Sequence, residues 1–193
     1  MKKYERLISW VEHIKERNHS SAAALFIMKD NKVVMEHYSG THSNIKNSPP
    51  ITPTSQFNVA SARKSYLGLA IAYAIYERKI RSLDDYAIDY FEEYDKTLLG
   101  KTTLRHLVTH SHGLHMSDNG IIYREFEPGE KWAYRGVNIE MLTHLICKLY
   151  NKSFPKLLRE RVFIPADFKE TAWQTTDHEN LVKVVINPNE EAV

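Results

Sequence analysis

The chain has 193 residues, enough for one domain with a real hydrophobic core. Its formal net charge is only +2, with acids and bases interleaved, which excludes the basic stripe of a nucleic-acid binder and gives no reason to expect a polyanion partner. A lone cysteine, Cys147, excludes an internal disulfide, and its place inside an apolar helical pattern marks it as a small buried hydrophobe rather than a nucleophile.

In chain order, Leu7, Ile8, Val11 and Ile14 mark one face of an amphipathic N-terminal helix. No apolar h-region follows the lysines at positions 2 and 3, and no stretch reaches the ~18 apolar residues of a membrane helix. The expectation is a cytoplasmic chain with no membrane partner. Residues 23–28 are a continuous apolar run, predicted to be a strand covered on both faces. Residues 33–38 form a more mixed second strand. Lys29-Asp30-Asn31-Lys32 suits the hairpin turn between them, because Asp and Asn tolerate positive φ. Residues 39–55, with Pro49, Pro50 and Pro53, are predicted to be a loop.

Helical patterns dominate from there. Residues 61–79 are apolar nearly all round, which predicts a helix buried inside the domain. "SLDDYAIDYF" predicts a short helix capped by Ser82, and "TTLRHLVTH" another behind Thr102 or Thr103. "FEPGEKWAY" is a loop and turn. Residues 138–150 form an amphipathic helix with Asn138 at its start, and "SFPKLLRERVF" a further short helix that tolerates Pro155 in its first turn. Residues 181–186 are apolar enough to add one strand. Three strands make a thin sheet for so many helices, since sheets typically carry four to six. A second copy completing the sheet is one way to resolve the imbalance.

The chemistry is concentrated at Ser61 and Lys64. Residues three apart on a helix share a face, so Lys64 can reach Ser61. A serine hydroxyl is a poor nucleophile until a base takes its proton, and a helix N-terminus favours the negative charge that develops. The tetrapeptide alone is equally compatible with an N-cap serine followed by a surface lysine. Its surroundings carry more weight. "FNVASARKS", "SLDDYAIDYF", "TTLRHLVTHSHGL", "FEPGEKWAYRGVNIEMLTHLICKLYNKSF" and "RVFIPADFKETAW" follow one another over residues 57–173, inside a resemblance that covers residues 22–173. In that order and spacing they resemble the serine β-lactamase-like family, which contains class C β-lactamases, D-alanyl-D-alanine carboxypeptidases and related esterases and amidases.

The resemblance implies an α/β fold of the α+β type, β-lactamase/transpeptidase-like. It would have a small antiparallel sheet, an incomplete one here, and a mostly helical region, with residues 1–193 as one domain lacking the usual C-terminal strands. It implies Ser61 as the acyl-accepting nucleophile, Lys64 as its partner and Tyr134 as the tyrosine of the second motif, sharing the proton transfer. It also places Gly136, Asn138 and His112, in the loop from His110 to Leu114, on the substrate side. The substrate is expected to be a small ester or amide, and no metal or organic cofactor is implied. The second motif departs from the usual Tyr-Ser-Asn or Tyr-x-Asn, because Gly136 has no side chain to hold a substrate amide. Asn138, two residues on, stands either in its place or as N-cap of the following helix.

Two other readings remain open. His110, His112 and His115 could meet on a loop as zinc ligands, although no acidic residue or cysteine stands at a motif spacing. The chain could also be a non-catalytic, acylatable binding or sensor module. Family members continue past the Trp173 block to a Lys-Thr-Gly or His-x-Gly strand that supplies an oxyanion-hole N–H, and no such triplet follows Trp173 here. The chain alone is therefore expected to hydrolyse a chromogenic ester ~10²–10³-fold more slowly than a full-length relative, checked by parallel initial-rate assays.

Overall fold

The computed structural model describes residues 4–173 and 178–184. They divide into two compact units, one from residues 1–59 and 168–193 and the other from residues 60–167.

In the first unit, α1 (Glu5–Arg17) packs on an antiparallel hairpin of β1 (Ala22–Lys29) and β2 (Lys32–Gly40). Asp30 and Asn31 have φ of 51° and 58°, which gives the predicted tight turn. Burial alternates along β1 and leaves Phe26 and Met28 exposed, so the two-sided covering predicted for this run is corrected. Among the described residues, α1 packs on this hairpin, and Ile51 and Val182 cover it only at Ala22 and Tyr38. Glu12 ties the helix to β2. Its carboxylate accepts hydrogen bonds from Lys15, from His37 Nε2 at 2.7 Å and from Ser39 Oγ, and these hold its pKa down at about 2. Gly40, at φ +89°, is required where β2 turns, since a Cβ there would lie 2.0 Å from the Ser21 carbonyl oxygen. The strand expected over 181–186 is reduced to one parallel bridge between Gln56 and Leu181. Val182 from this segment packs with Ala22 and Ile51, and residues 185–186 lie outside the described residues.

The second unit is mostly helical, as the sequence predicts. A 3₁₀ turn over Ala60–Arg63 leads into α2 (Lys64–Tyr76), followed by α3 (Lys96–Leu99) and α4 (Leu104–Val108). A two-stranded sheet of β3 (Leu114–Met116) and β4 (Ile122–Arg124) comes next, then α5 (Val137–Tyr150) and α6 (Phe154–Leu158). The core forms where α2 and α4 pack on α5, burying Leu67, Ile71, Leu107, Met141, Leu145 and Ile146. Two helix expectations are corrected. Only one face of α2 is buried, with Leu69 and Tyr76 exposed, and the α-helix proper starts at Lys64. "SLDDYAIDYF" holds only a 3₁₀ turn at Ala87–Asp89, because Asp85 accepts from Ser82 N–H, Tyr90 O–H and Arg81 instead of leaving its side chain outside a helix. The short α3, β3 and β4 were not predicted, since three or four residues carry no readable period. Among the described residues no helix is long and apolar enough to cross a membrane.

Arg124, at the end of β4, joins four stretches of this unit. Its guanidinium donates to the carbonyls of His112 at 3.0 Å, Phe126 at 3.3 Å and Leu99 at 3.1 Å, to the Leu98 carbonyl, and to Thr102 Oγ1 at 2.9 Å. Beside it, Gly113 has φ +68°, and a Cβ there would lie 1.9 Å from the Phe126 carbonyl oxygen. Arg124→Met takes a donor from five acceptors, of which the Leu99 carbonyl keeps Thr102 N–H, and is expected to lower the unfolding free energy by about 2–4 kcal/mol in urea titrations.

Candidate active site

Ser61 lies in the 3₁₀ turn that precedes α2, and Lys64 is the first residue of that helix. Ala60, immediately before the serine, has φ +43°, a left-handed conformation that a residue with a Cβ adopts at a cost and that clusters at functional sites. The turn places Lys64 Nζ 2.7 Å from Ser61 Oγ. Tyr134, distant in sequence, arrives from the loop before α5, and its hydroxyl donates to the same Oγ at 2.8 Å. Lys64 Nζ also lies 5.0 Å from the centroid of the Tyr134 ring. Hydrogen bonding with Lys64 first, and with Ser61 second, pulls the Tyr134 phenol below its usual pKa of 10.0. The three side chains that the sequence nominates for catalysis therefore meet at one oxygen.

The Tyr134 loop is anchored on both sides. Ala133 N–H donates to the His110 carbonyl at 3.0 Å. Arg135 forms a two-pronged pair with Glu125, at 3.0 and 2.9 Å. That pair holds the Glu125 carboxyl below, and the Arg135 guanidinium above, their ordinary values. Sequence reasoning missed Glu125, which has no motif of its own. His110, which the sequence offers as the start of a loop lining the site or as a metal ligand, stacks its ring on Tyr134 with centroids 4.8 Å apart.

The residues nominated for substrate contact are placed differently. Gly136 caps α5, and a Cβ there would meet nothing within 4 Å, so the position is open where the family pattern carries Asn. Asn138 is not the N-cap. It is fully buried inside the first turn of α5, and its Nδ2 donates to the Leu107 carbonyl at 2.8 Å and to His110 Nδ1 at 3.3 Å. His112 is equally buried. Its Nδ1 accepts from Leu114 N–H at 2.9 Å, which puts the ring proton on Nε2. Asn138 and His112 thus stand behind the site and do not reach a ligand at its surface. The zinc alternative fails on direction. His115 turns to Tyr123 O–H at 2.9 Å and Glu125 at 3.2 Å, and among the described residues no three His, Cys, Asp or Glu side chains are grouped to hold an ion.

Burial holds the His112 pKa down at about 4 against 6.5, with the charge of His110 adding to the effect. Between those values the folded chain binds fewer protons than the unfolded one. Stability from this residue is complete above about pH 6.5, is lost as pH falls toward 4, and changes no further below. The expected loss is about 3 kcal/mol. His112→Asn, whose Oδ1 can still accept from Leu114 N–H, should remove that slope in urea midpoints measured at pH 7, 5.5 and 4.

Comparisons with known proteins bear on the family and the fold. An uncharacterized protein of Alkalihalophilus pseudofirmus is 40% identical over 187 residues, covering 97% of this chain and 54% of the relative. The structure of EstCE1, described as a hydrolase with promiscuous acyltransferase activity, superposes with a TM-score of 0.77 at 19% identity over 93% of this chain and 55% of its own. The D-alanine carboxypeptidase AmpC from Burkholderia cenocepacia superposes with a TM-score of 0.76 at 22% identity over 92% of this chain and 52% of its own. The chain spans about half the length of these relatives. The two superpositions show the β-lactamase/transpeptidase-like fold that the sequence blocks imply. With the Beta-lactamase family model matching residues 7–182, the chain belongs to the Beta-lactamase family.

Proposed function

We propose that the chain accepts an acyl group on Ser61 Oγ from a small ester or amide. The observation that carries this reading is the convergence of Lys64 Nζ at 2.7 Å and Tyr134 O–H at 2.8 Å on that one oxygen. A phenol lowered by a neighbouring ammonium can lose its proton and then serve as base. In that state the Tyr134 oxygen takes the Ser61 proton as Oγ bonds to the substrate carbonyl carbon, and Lys64 stabilises the negative charge beside it. Collapse of the tetrahedral adduct breaks the bond to the leaving alcohol or amine, which takes the proton from Tyr134. Ser61 is left as an ester. Attack by water, deprotonated by the same tyrosine, releases the acid and restores the hydroxyl.

The open position at Gly136 favours substrates that need no side-chain amide to hold them, and esters make the smallest demand on leaving-group protonation. The description of EstCE1 as a hydrolase with promiscuous acyltransferase activity supports acyl transfer as the class of reaction. The family match runs through both compact units, which supports reading residues 1–193 as one β-lactamase-like domain. The same open position supports a second reading, an acylatable module that holds its adduct without turnover.

A fluorophosphonate probe followed by intact mass tests the assignment. Wild-type chain should gain one adduct at Ser61, Ser61→Ala none, and Lys64→Ala and Tyr134→Phe should react about 10²-fold more slowly. Equal labelling of all four proteins would sink the nucleophile. Turnover of a chromogenic ester that disappears in Ser61→Ala identifies the enzyme, and a stable ester adduct without turnover identifies the module.

A further inference from the structure

Three aromatic rings gather beside Ser61. His110 stacks on Tyr134 with planes 21° apart, and Trp132 lies 6.2 Å from the first ring and 6.3 Å from the second. Tyr134 is half exposed and sits in a loop with neither helix nor strand, whose neighbours Ala133 and Arg135 are anchored while its own ring stands out toward Ser61. The imidazole beneath it is fixed from several directions. His110 has φ +58°, a left-handed conformation that His adopts more readily than most residues. Its carbonyl accepts from Ala133 N–H at 3.0 Å, and its Nδ1 accepts from Asn138 Nδ2 at 3.3 Å. Asn138 is held in turn by the Leu107 carbonyl. Behind it, His112 Nε2–H and Asn138 Oδ1 are both buried with no hydrogen-bond partner among the described residues, and they are complementary as donor and acceptor.

We propose that His110 is a positioning residue for acyl transfer at Ser61. It stands at the end of a buried chain from His112 through Asn138, and presents a rigid ring face that keeps the Tyr134 hydroxyl on Ser61 Oγ. Neither Asn138 nor His112 touches the substrate, and both act on the site through this ring. The kinetic part of the proposal rests on the acyl-transfer reading of Ser61, and the stacking part does not.

Two substitutions separate the ring from its anchor. His110→Phe keeps the aromatic face and loses the Nδ1 acceptor. His110→Asn tolerates the left-handed backbone and keeps an acceptor, and loses the ring. In chain labelled with ¹³C-tyrosine, and with Tyr134→Phe as the assignment control, the Tyr134 ring resonances should carry an upfield ring-current shift. His110→Phe should retain that shift and His110→Asn should lose it. Fluorophosphonate labelling of Ser61 should slow ~10–100-fold in His110→Asn and stay within about threefold of wild type in His110→Phe. If the role were only structural, rates would follow urea midpoints. The proposal predicts the reverse order, with His110→Phe the less stable and the more reactive. In the Tyr134→Phe background, His110→Asn should cost no further rate. Equal labelling rates in the two His110 variants, or a Tyr134 resonance unmoved by His110→Asn, overturns the proposal. A wild-type chain that shows the shift and takes no adduct at Ser61 overturns the acyl-transfer reading instead.

Discussion

A guanidinium partly withdrawn from water gains from being surrounded by acceptors, and Arg124 draws five oxygens from four stretches of chain around itself. The end of α3, Thr102, the turn at His112 and the Phe126 carbonyl are all fixed by that one requirement. The turn has no freedom left. Gly113 passes so close to Phe126 that only hydrogen fits at its α-carbon, and His110 three residues earlier is held in a left-handed conformation. Everything that sits behind the candidate nucleophile hangs from this turn.

The site is arranged in depth. At the surface Ser61, Lys64 and Tyr134 exchange hydrogen bonds around a single oxygen. One layer down, His110 gives Tyr134 a flat support, and Arg135 locks onto Glu125 to hold the next residue of the same loop. Deeper still, Asn138 and His112 are wholly enclosed and neutral, with burial working against a charge on the imidazole. Exposure suits the outer groups under the proposed acyl transfer, in which they meet a substrate. Enclosure suits the inner ones, because a buried amide or imidazole with fixed partners does not rotate.

The departure from the family pattern at Gly136 acquires a definite meaning in this setting. Nothing in the structure requires glycine there, since a side chain would enter open space. The position is open rather than strained, so no backbone or packing demand accounts for the glycine. Asn138 does not compensate, because α5 starts at Val137 and carries it inward, toward Leu107 and His110.

The sequence by itself determined the hairpin, the helices longer than about two turns and the identity of the three outer site residues. Those features rest on local physics. Asp30-Asn31 accept positive φ, 3.6-residue periodicity survives in a helix of α5's length, and Ser61 and Lys64 are neighbours along a single turn. Tyr134 was legible only through the order of the blocks, because its approach to Ser61 closes a loop of more than seventy residues. Only the tertiary structure decided that the apolar run of β1 is covered on one face and that α2 buries one side, since an apolar residue reports the capacity for burial and not the presence of a neighbour. It also decided the roles of His110, His112 and Asn138. All three are polar, close to the site and eligible for a ligand or a cap, and what separates those uses is the direction of each side chain. That direction follows from a left-handed backbone at His110, a glycine at 113 and a half-buried arginine eleven residues further on, a combination that no spacing in the chain announces.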